Sequence, residues 1–314
     1  MKNWLKLQPV FKEMLWGGNR LKNAFNYNIP SNQTGEAWVI SAHPEGSSTI
    51  LNKQYQGMTL DLYYQNFREQ FGPGNNKTFP LMIKIIDASK DLSIQVHPDD
   101  EYGLKHNDSL GKYESWYILD TEKDTKLEIG HHAKTVEEFE RMLKNKQYDQ
   151  LFRYISIKKG DCFNVVPGTV HALCAGTLVY EVQQNSNVTY RIYDYDRVDK
   201  NGNLRELHIE DSLNVIIAPS QPLNNNLSNQ DQASAITKLI DNKYFTLHQM
   251  IITEKTQIEL DGVFITCTII EGDGMINGEY VKKGDNFIVL PKEKKLEIDG
   301  DFTALMAQPK VENM

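Results

Sequence analysis

Short runs in which Val, Ile, Leu, Tyr and Phe alternate with polar residues recur along the chain, and a period of two predicts strands buried on one face. They fall at 36–41, 81–86, 92–97, 114–119, 154–157, 161–166 and 177–183. Helical spacing is rarer. It is expected at 60–71 and at 135–152, where Val136, Phe139 and Leu143 follow a helical period and Thr135 with Glu138 makes a capping-box start. Asn201-Gly202, between apolar runs at 190–194 and 205–209, predicts a hairpin, because that pair supplies the positive φ a tight turn demands.

From Pro219 to Ser234 the chain turns rich in Asn, Gln, Ser and Pro with little to bury, which reads as an exposed connector. Strand-like alternation resumes at 244–305. The expected organisation is therefore a unit at 1–218 with a helical insertion around 101–152, a connector at 219–235, and a smaller unit at 236–314. An internal repeat links the two units: Lys283-Gly284-Asp285-Asn286-Phe287-Ile288-Val289-Leu290-Pro291 echoes Lys159-Gly160-Asp161-Cys162-Phe163-Asn164-Val165-Val166-Pro167. In the first copy His171 follows four residues after the Pro; the same offset from Pro291 reaches Lys295. The second unit is accordingly expected to hold no metal.

With 314 residues the chain is long enough for two compact units. Its 34 basic and 42 acidic residues give a formal charge of -8, and no Lys/Arg run tracks a phosphate backbone, so nucleic acid is not an expected partner. No apolar run approaches the roughly 18 residues of a membrane-spanning helix. Cys162, Cys174 and Cys267 are odd in number and lack CxxC spacing, which fits a reducing compartment and neither a disulfide framework nor a thiolate metal site. A soluble, cytoplasmic protein is expected. The pair His131-His132 has charged neighbours and reads as an exposed loop, and no phosphate-binding glycine motif is present.

Candidate chemistry centres on Gln95 and His97, which strand alternation points to one face. Glu114 offers a carboxylate and His171 a second imidazole just after the Pro167-Gly168 turn. Gln95, His97, Glu114 and His171 make a four-donor oxygen and nitrogen set, for which tetrahedral zinc open to a further ligand is the default. The ligand cluster, the Glu, and the later G-D-x-F-x-x-x-P-G-x-x-H have the two-motif layout of the cupin barrel. The fold class expected is mainly β, with two cupin-like barrels of jelly-roll type and a few covering helices.

The ordered series Met14-Leu15-Trp16-Gly17-Gly18, Gly35-Glu36-Ala37-Trp38, Phe79-Pro80-Leu81-Met82-Ile83-Lys84, Gln95-Val96-His97-Pro98, Gly111-Lys112-Tyr113-Glu114, Pro167-Gly168-Thr169-Val170-His171 and 181–191 resembles the type I mannose-6-phosphate isomerases in their short bacterial form. That resemblance runs nearly end to end. It implies Zn2+ on Gln95, His97, Glu114 and His171, with Arg191, Lys112 and Glu181 in the active cleft and Lys84 with Ser93 at the substrate phosphate. Arg197 stands where longer members carry Lys, keeping the charge but not the shape. The expected activity is interconversion of mannose 6-phosphate and fructose 6-phosphate, with a sugar phosphate as partner and the C-terminal barrel as a route to homo-oligomers. A metal-cupin oxygenase is disfavoured by Gln95 in place of a further His, and a non-catalytic sugar-binding cupin by the cations beside the metal set.

Overall fold

The computed structural model describes residues 3–74, 76–198, 201–221, 235–260 and 262–314. Antiparallel sheet is the main regular structure. Six strands pair in the order Cys162–Val165, Glu114–Thr121, Thr177–Gln184, Leu81–Ala88, Thr34–Ile40, Val10–Gly18. Facing them, five pair in the order Phe152–Ser156, Lys126–His131, His171–Leu173, Ile94–Val96, Tyr190–Tyr193. Alternation assigns the faces. Trp116, Ile118, Phe163, Val165 and Val179 of the first sheet meet Leu127, Ile129 and Leu173 of the second in one enclosed core. Among the described residues the sheets stay open; no ring of strand pairing closes on itself.

The outer face of the five-stranded sheet is covered by helices. Val136–Lys144, Tyr148–Leu151 and Ile209–Val215 bring Phe139, Leu151 and Ile216 onto Ile94, Val96, Ala172 and Ile192. Thr135 Oγ1 accepts from the Glu138 N–H at the start of the first of these helices, as the capping pattern requires. The segment expected as one helix over 135–152 is two. Asn145 and Lys146 break it, Lys146 with a φ of 54°, and Phe152 already belongs to a strand. The segment at 60–71 likewise divides into an α-helix, Leu60–Asn66, and a 3-10 turn, Arg68–Phe71.

Nor is 101–152 a helical insertion. Between Asp100–Asn107 and Val136–Lys144 it carries Glu114–Thr121 and Lys126–His131, one strand in each sheet. His131 is the end of that second strand rather than loop: it is buried, its Nε2 lies 3.0 Å from Ile217 O, and Phe139 packs edge-on against it. Only His132 is exposed, because the covering helix folds back over alternate residues. The hairpin expected at 190–209 shrinks to a single bridge between Val198 and Leu204. Asp199 and Lys200 of its turn lie outside the described residues, as does most of the connector, 222–234. The run at 205–209 leads into helix Ile209–Val215 instead of a strand.

The remaining strands form a nine-stranded sheet whose main path is Ile236–Asp241, Phe245–Ile252, Lys295–Pro309, Ile265–Ile276, Asn286–Val289, Trp4–Gln8, Thr49–Ile50. It curls around its own apolar core of Met250, Cys267, Ile269, Phe287, Ile298 and Phe302. The N-terminal strand thus crosses the expected boundary, pairing Leu5 with Ile288 and Lys6 with Phe287. The outer face of this sheet and that of the six-stranded sheet share one core, in which Phe245, Leu247, Phe264 and Leu305 meet Ile83, Ile85, Tyr180 and Val182.

The repeated motif makes the same turn twice. Gly160 and Gly284 each have a φ of 91°, a left-handed conformation that glycine adopts without a Cβ penalty. Asp161 and Asp285 each accept the backbone N–H three residues back, from Lys158 at 2.9 Å and Lys282 at 3.1 Å. Lys295, at the position matching His171, begins an edge-facing stretch and pairs with Glu259 on the surface.

Candidate active site

Strand register builds the site. His171 is the cross-strand partner of Gln95, and Gln95 of Arg191, so the three side chains form a row on the inner face of the five-stranded sheet. On the opposite sheet Trp38, Lys84, Glu181, Trp116 and Phe163 form a second row through successive cross-strand pairs. Glu114 sits two residues before Trp116 and so looks into the same space. Lys112 comes in just ahead of that strand, where the chain runs so close to Asp99 that a Cβ on Gly111 would lie 2.3 Å from the Asp99 carbonyl carbon.

The donor atoms converge. His97 Nε2 lies 3.1 Å from His171 Nε2 and 3.4 Å from Glu114 Oε2; His171 Nε2 lies 3.2 Å from Glu114 Oε1 and 3.4 Å from the Gln95 amide nitrogen. His97, Glu114 and His171 are all buried and form the group of potential metal ligands found among the described residues. His171 Nδ1 is 2.9 Å from Thr169 O; the carbonyl can only accept, so Nδ1 carries a proton and donates it there, and Nε2 is the atom turned to the cluster. Burial and the Lys112 ammonium push the His97 imidazole down to about 3, leaving it neutral. Burial opposes charge on Glu114, yet the Lys112 ammonium beside it outweighs this and holds the carboxyl well below its usual range.

Two imidazole Nε2 atoms and a carboxylate thus converge on one point, and that donor set suits a cation. Ligands about 2.0–2.1 Å from a tetrahedral zinc lie about 3.3 Å apart, which matches the separations of 3.1–3.4 Å. Turning the Gln95 amide over would bring its oxygen to the same point. Lys112 Nζ borders the cluster, 3.0 Å from Glu114 Oε2 and 3.2 Å from His97 Nε2.

The other expected residues divide. Glu181 faces the interior, its Oε2 accepting from Trp116 Nε1 at 2.9 Å and its Oε1 3.2 Å from Lys84 Nζ. Lys84 is held inside the fold, with Glu36 at 4.0 Å and Trp38 beneath its ammonium. Burial lowers its proton affinity, but Glu181 and Glu36 outweigh that and raise it. Ser93 is buried just ahead of Ile94–Val96, two residues from Gln95 and on its side of the strand. Arg197 donates from each of its three nitrogens within the protein, from Nε and Nη2 to Asp194 and from Nη1 to Asp91 O.

Sequence reasoning missed Trp116 and Arg205. Alternation from Glu114 would have found Trp116. Arg205 is separated from Asp194 by the bridged loop, and no local pattern announces that its guanidinium returns to donate twice to that carboxylate.

Residues 4–127 match the profile of the phosphomannose isomerase type I catalytic domain, and residues 235–309 that of the mannose-6-phosphate isomerase cupin domain. The mannose-6-phosphate isomerase ManA of Bacillus subtilis is 44% identical over 91% of this chain and 92% of its own. The chain belongs to the type I mannose-6-phosphate isomerase family. The mannose-6-phosphate isomerase of Streptococcus mutans, another family member, is 39% identical over 95% of this chain and 96% of its own. The crystal structure of the mannose 6-phosphate isomerase from Bacillus subtilis superposes with a TM-score of 0.93 at 39% identity, covering 97% of this chain and 99% of that one.

Proposed function

We propose that the chain is a zinc-dependent aldose-ketose isomerase that interconverts mannose 6-phosphate and fructose 6-phosphate through an enediolate. The observation that carries this reading is the row of Arg191, Gln95 and His171 across three strands, with Glu114 and Lys112 closing on it from the facing sheet. Gln95, His97, Glu114 and His171 would hold the zinc, which when bound supplies a Lewis acid for the substrate's oxygens.

The residues of the chain do the rest. Arg191 presents a cation that does not titrate away and stabilises negative charge as it develops on the reacting oxygens. Lys112 or Glu181 relays the proton between adjacent carbons on one face. Lys84, Ser93 and Arg197 are assigned to the phosphate end. Trp116 and Lys84 fix the Glu181 carboxylate from both oxygens, which favours a defined direction for any proton it takes.

The same reading takes both halves as cupin-type barrels, supported by the repeated Gly-Asp turn. It places the protein in the cytoplasm, supported by three free thiols, and assigns self-association to the C-terminal unit, where Ile251, Met275 and Tyr280 are exposed.

Conversion of mannose 6-phosphate to fructose 6-phosphate should be followed in purified protein, in a chelated sample, and in a chelated sample given zinc back. Loss and recovery of turnover would support both reaction and metal. A fully metallated protein without turnover would overturn the assignment. Glu181→Gln with full zinc and unchanged rate would remove Glu181 as the base, and Arg191→Ala with a near-normal rate would remove the electrostatic role.

A further inference from the structure

Three guanidiniums gather at one end of the Arg191–Gln95–His171 row, around the buried carboxylate of Asp194, with the exposed Glu206 beyond. Asp194 is 4% exposed. Arg205 grips it from two nitrogens, Nε to Oδ2 at 2.7 Å and Nη2 to Oδ1, and Arg197 adds a third contact from Nη2. Burial works against charge on Asp194, but the hydrogen bonds from Arg205 and Arg197 outweigh it and hold the carboxyl below its usual range. Arg191 stands three residues before Asp194 and is not paired with it. Its Nη1 donates to Glu206 O at 2.7 Å, while its Nε is buried without a hydrogen-bond partner among the described residues. His208 Nδ1 accepts the Arg191 backbone N–H at 3.1 Å and fixes that strand end.

We propose that Arg205 is a positioning residue of the active cleft: by occupying Asp194 from two sides it keeps that carboxylate from neutralising Arg191, so the cleft retains excess positive charge for an anionic substrate. Among the groups held in the fold, three guanidiniums against the Asp194 carboxylate leave two positive charges in excess; Glu206 also acts on Arg191, but its side chain is 84% exposed and screened by solvent. Without Arg205 the excess falls to one, and the edge of Asp194 that Arg205 held, which Arg197 does not cover, is left open to Arg191. Burial first, and then Arg205, lowers the affinity of the Arg191 guanidinium for its proton while Asp194 opposes this, so these groups do feel one another. The inference rests on the isomerase reading for the identity of the substrate, but the charge argument applies to any oxyanion.

The test uses the zinc-loaded full chain with two readouts: calorimetric binding of inorganic phosphate, and KM with kcat for mannose 6-phosphate. Arg205→Ala is expected to weaken phosphate and raise KM by about tenfold, the scale of losing one nearby unit charge in a partly solvated cleft. Arg205→Lys should recover only part of this, since it keeps the charge without the two-point grip. The deciding variant is Asp194→Asn added to Arg205→Ala, which restores two positive charges in excess and should bring phosphate affinity back toward wild type. A merely structural role predicts the reverse, further loss. If Arg205→Ala does not yield folded protein, Asp194→Asn alone decides, because it should bind phosphate more tightly than wild type. Unchanged binding in Arg205→Ala, a double variant no better than the single, or weaker binding in Asp194→Asn would overturn the proposal. Wild-type protein that binds phosphate in this pattern but turns over no sugar phosphate would sink the isomerase reading and leave the charge assignment standing.

Discussion

Replacing Lys84 by Met leaves Glu181 as a buried carboxylate without its cation. The ammonium lies 3.2 Å from Glu181 Oε1, with side-chain exposures of 3% and 4%. At an effective dielectric of about 20 two unit charges at that distance attract by about 5 kcal/mol, and breaking buried pairs costs about 3–5 kcal/mol. An unfolding entropy of about 2.1 cal/mol/K per residue over the 314 residues is about 0.66 kcal/mol/K, so the expected fall in Tm is about 5–8 °C. Met fills much of the volume of the Lys stem, which keeps a packing defect from imitating the charge effect. Adding Glu181→Gln removes the orphaned charge and should recover most of the loss, because an amide can still accept from Trp116 Nε1 at the place where Oε2 does now. Thermal melts of wild type, both single variants and the double variant, at one pH and with matched zinc, give the cycle. A Lys84→Met protein within about 1 kcal/mol of wild type, or a double variant less stable than Lys84→Met, would refute the claim that this pair is a mutually dependent buried unit.

Glu114→Ala removes the donor that lies within 3.4 Å of both imidazoles, and zinc affinity should fall by about 100-fold or more, read by elemental analysis after dialysis against a weak chelator. Phe264→Ala empties a fully buried position between Phe71 and Phe79 and should cost about 3–5 kcal/mol in denaturant unfolding; a loss below about 1 kcal/mol would mean the seam is not a shared core. Glu128 is fully buried with both oxygens lacking a hydrogen-bond partner among the described residues. Burial drives its carboxyl well above the usual range, with Arg153 only partly opposing. The folded state therefore holds that proton more tightly than the unfolded one. The stability is fully present below the unfolded value of about 4.3 and is lost as pH rises through the folded value. Glu128→Gln should melt above wild type at pH 8 and converge with it near pH 4; equal melting at both pH values would contradict the burial.

How much of this was legible in the sequence depended on whether the cause was local. Gln95, His97, Glu114 and His171 were found because strand alternation and a glycine turn act within a few residues, and the structure brings their donor atoms together. The strand at 81–86 extends to Ala88 and that at 177–183 to Gln184, small differences set by the ladder between them. His131 was misread because its burial comes from Phe139, on a helix whose return no neighbouring residue specifies. The break at Asn145–Lys146 defeated the helical period because Tyr148 and Phe152 keep an apolar spacing across it. That Lys84 pairs with Glu181 was not legible, because the register of Leu81–Ala88 against Thr177–Gln184 sets it. Arg205 and the N-terminal strand escaped for the same reason, since their partners are set by topology alone.

The pairing of the first strand with one of the last has a consequence for synthesis. Leu5 emerges from the ribosome long before Ile288, its partner in the sheet. At about 5–20 residues per second the roughly 280 residues between them take on the order of 15–60 s to make. Through that interval Trp4–Gln8 has only the short strand Thr49–Ile50 to pair with, and for most of it the outer face of the six-stranded sheet lacks Phe245, Leu247 and Phe264. Completion of the fold is therefore a post-translational event. A nascent chain stalled before residue 245 carries an open strand edge at its beginning and an uncovered apolar sheet in its middle, which makes it a natural client for a chaperone that masks both.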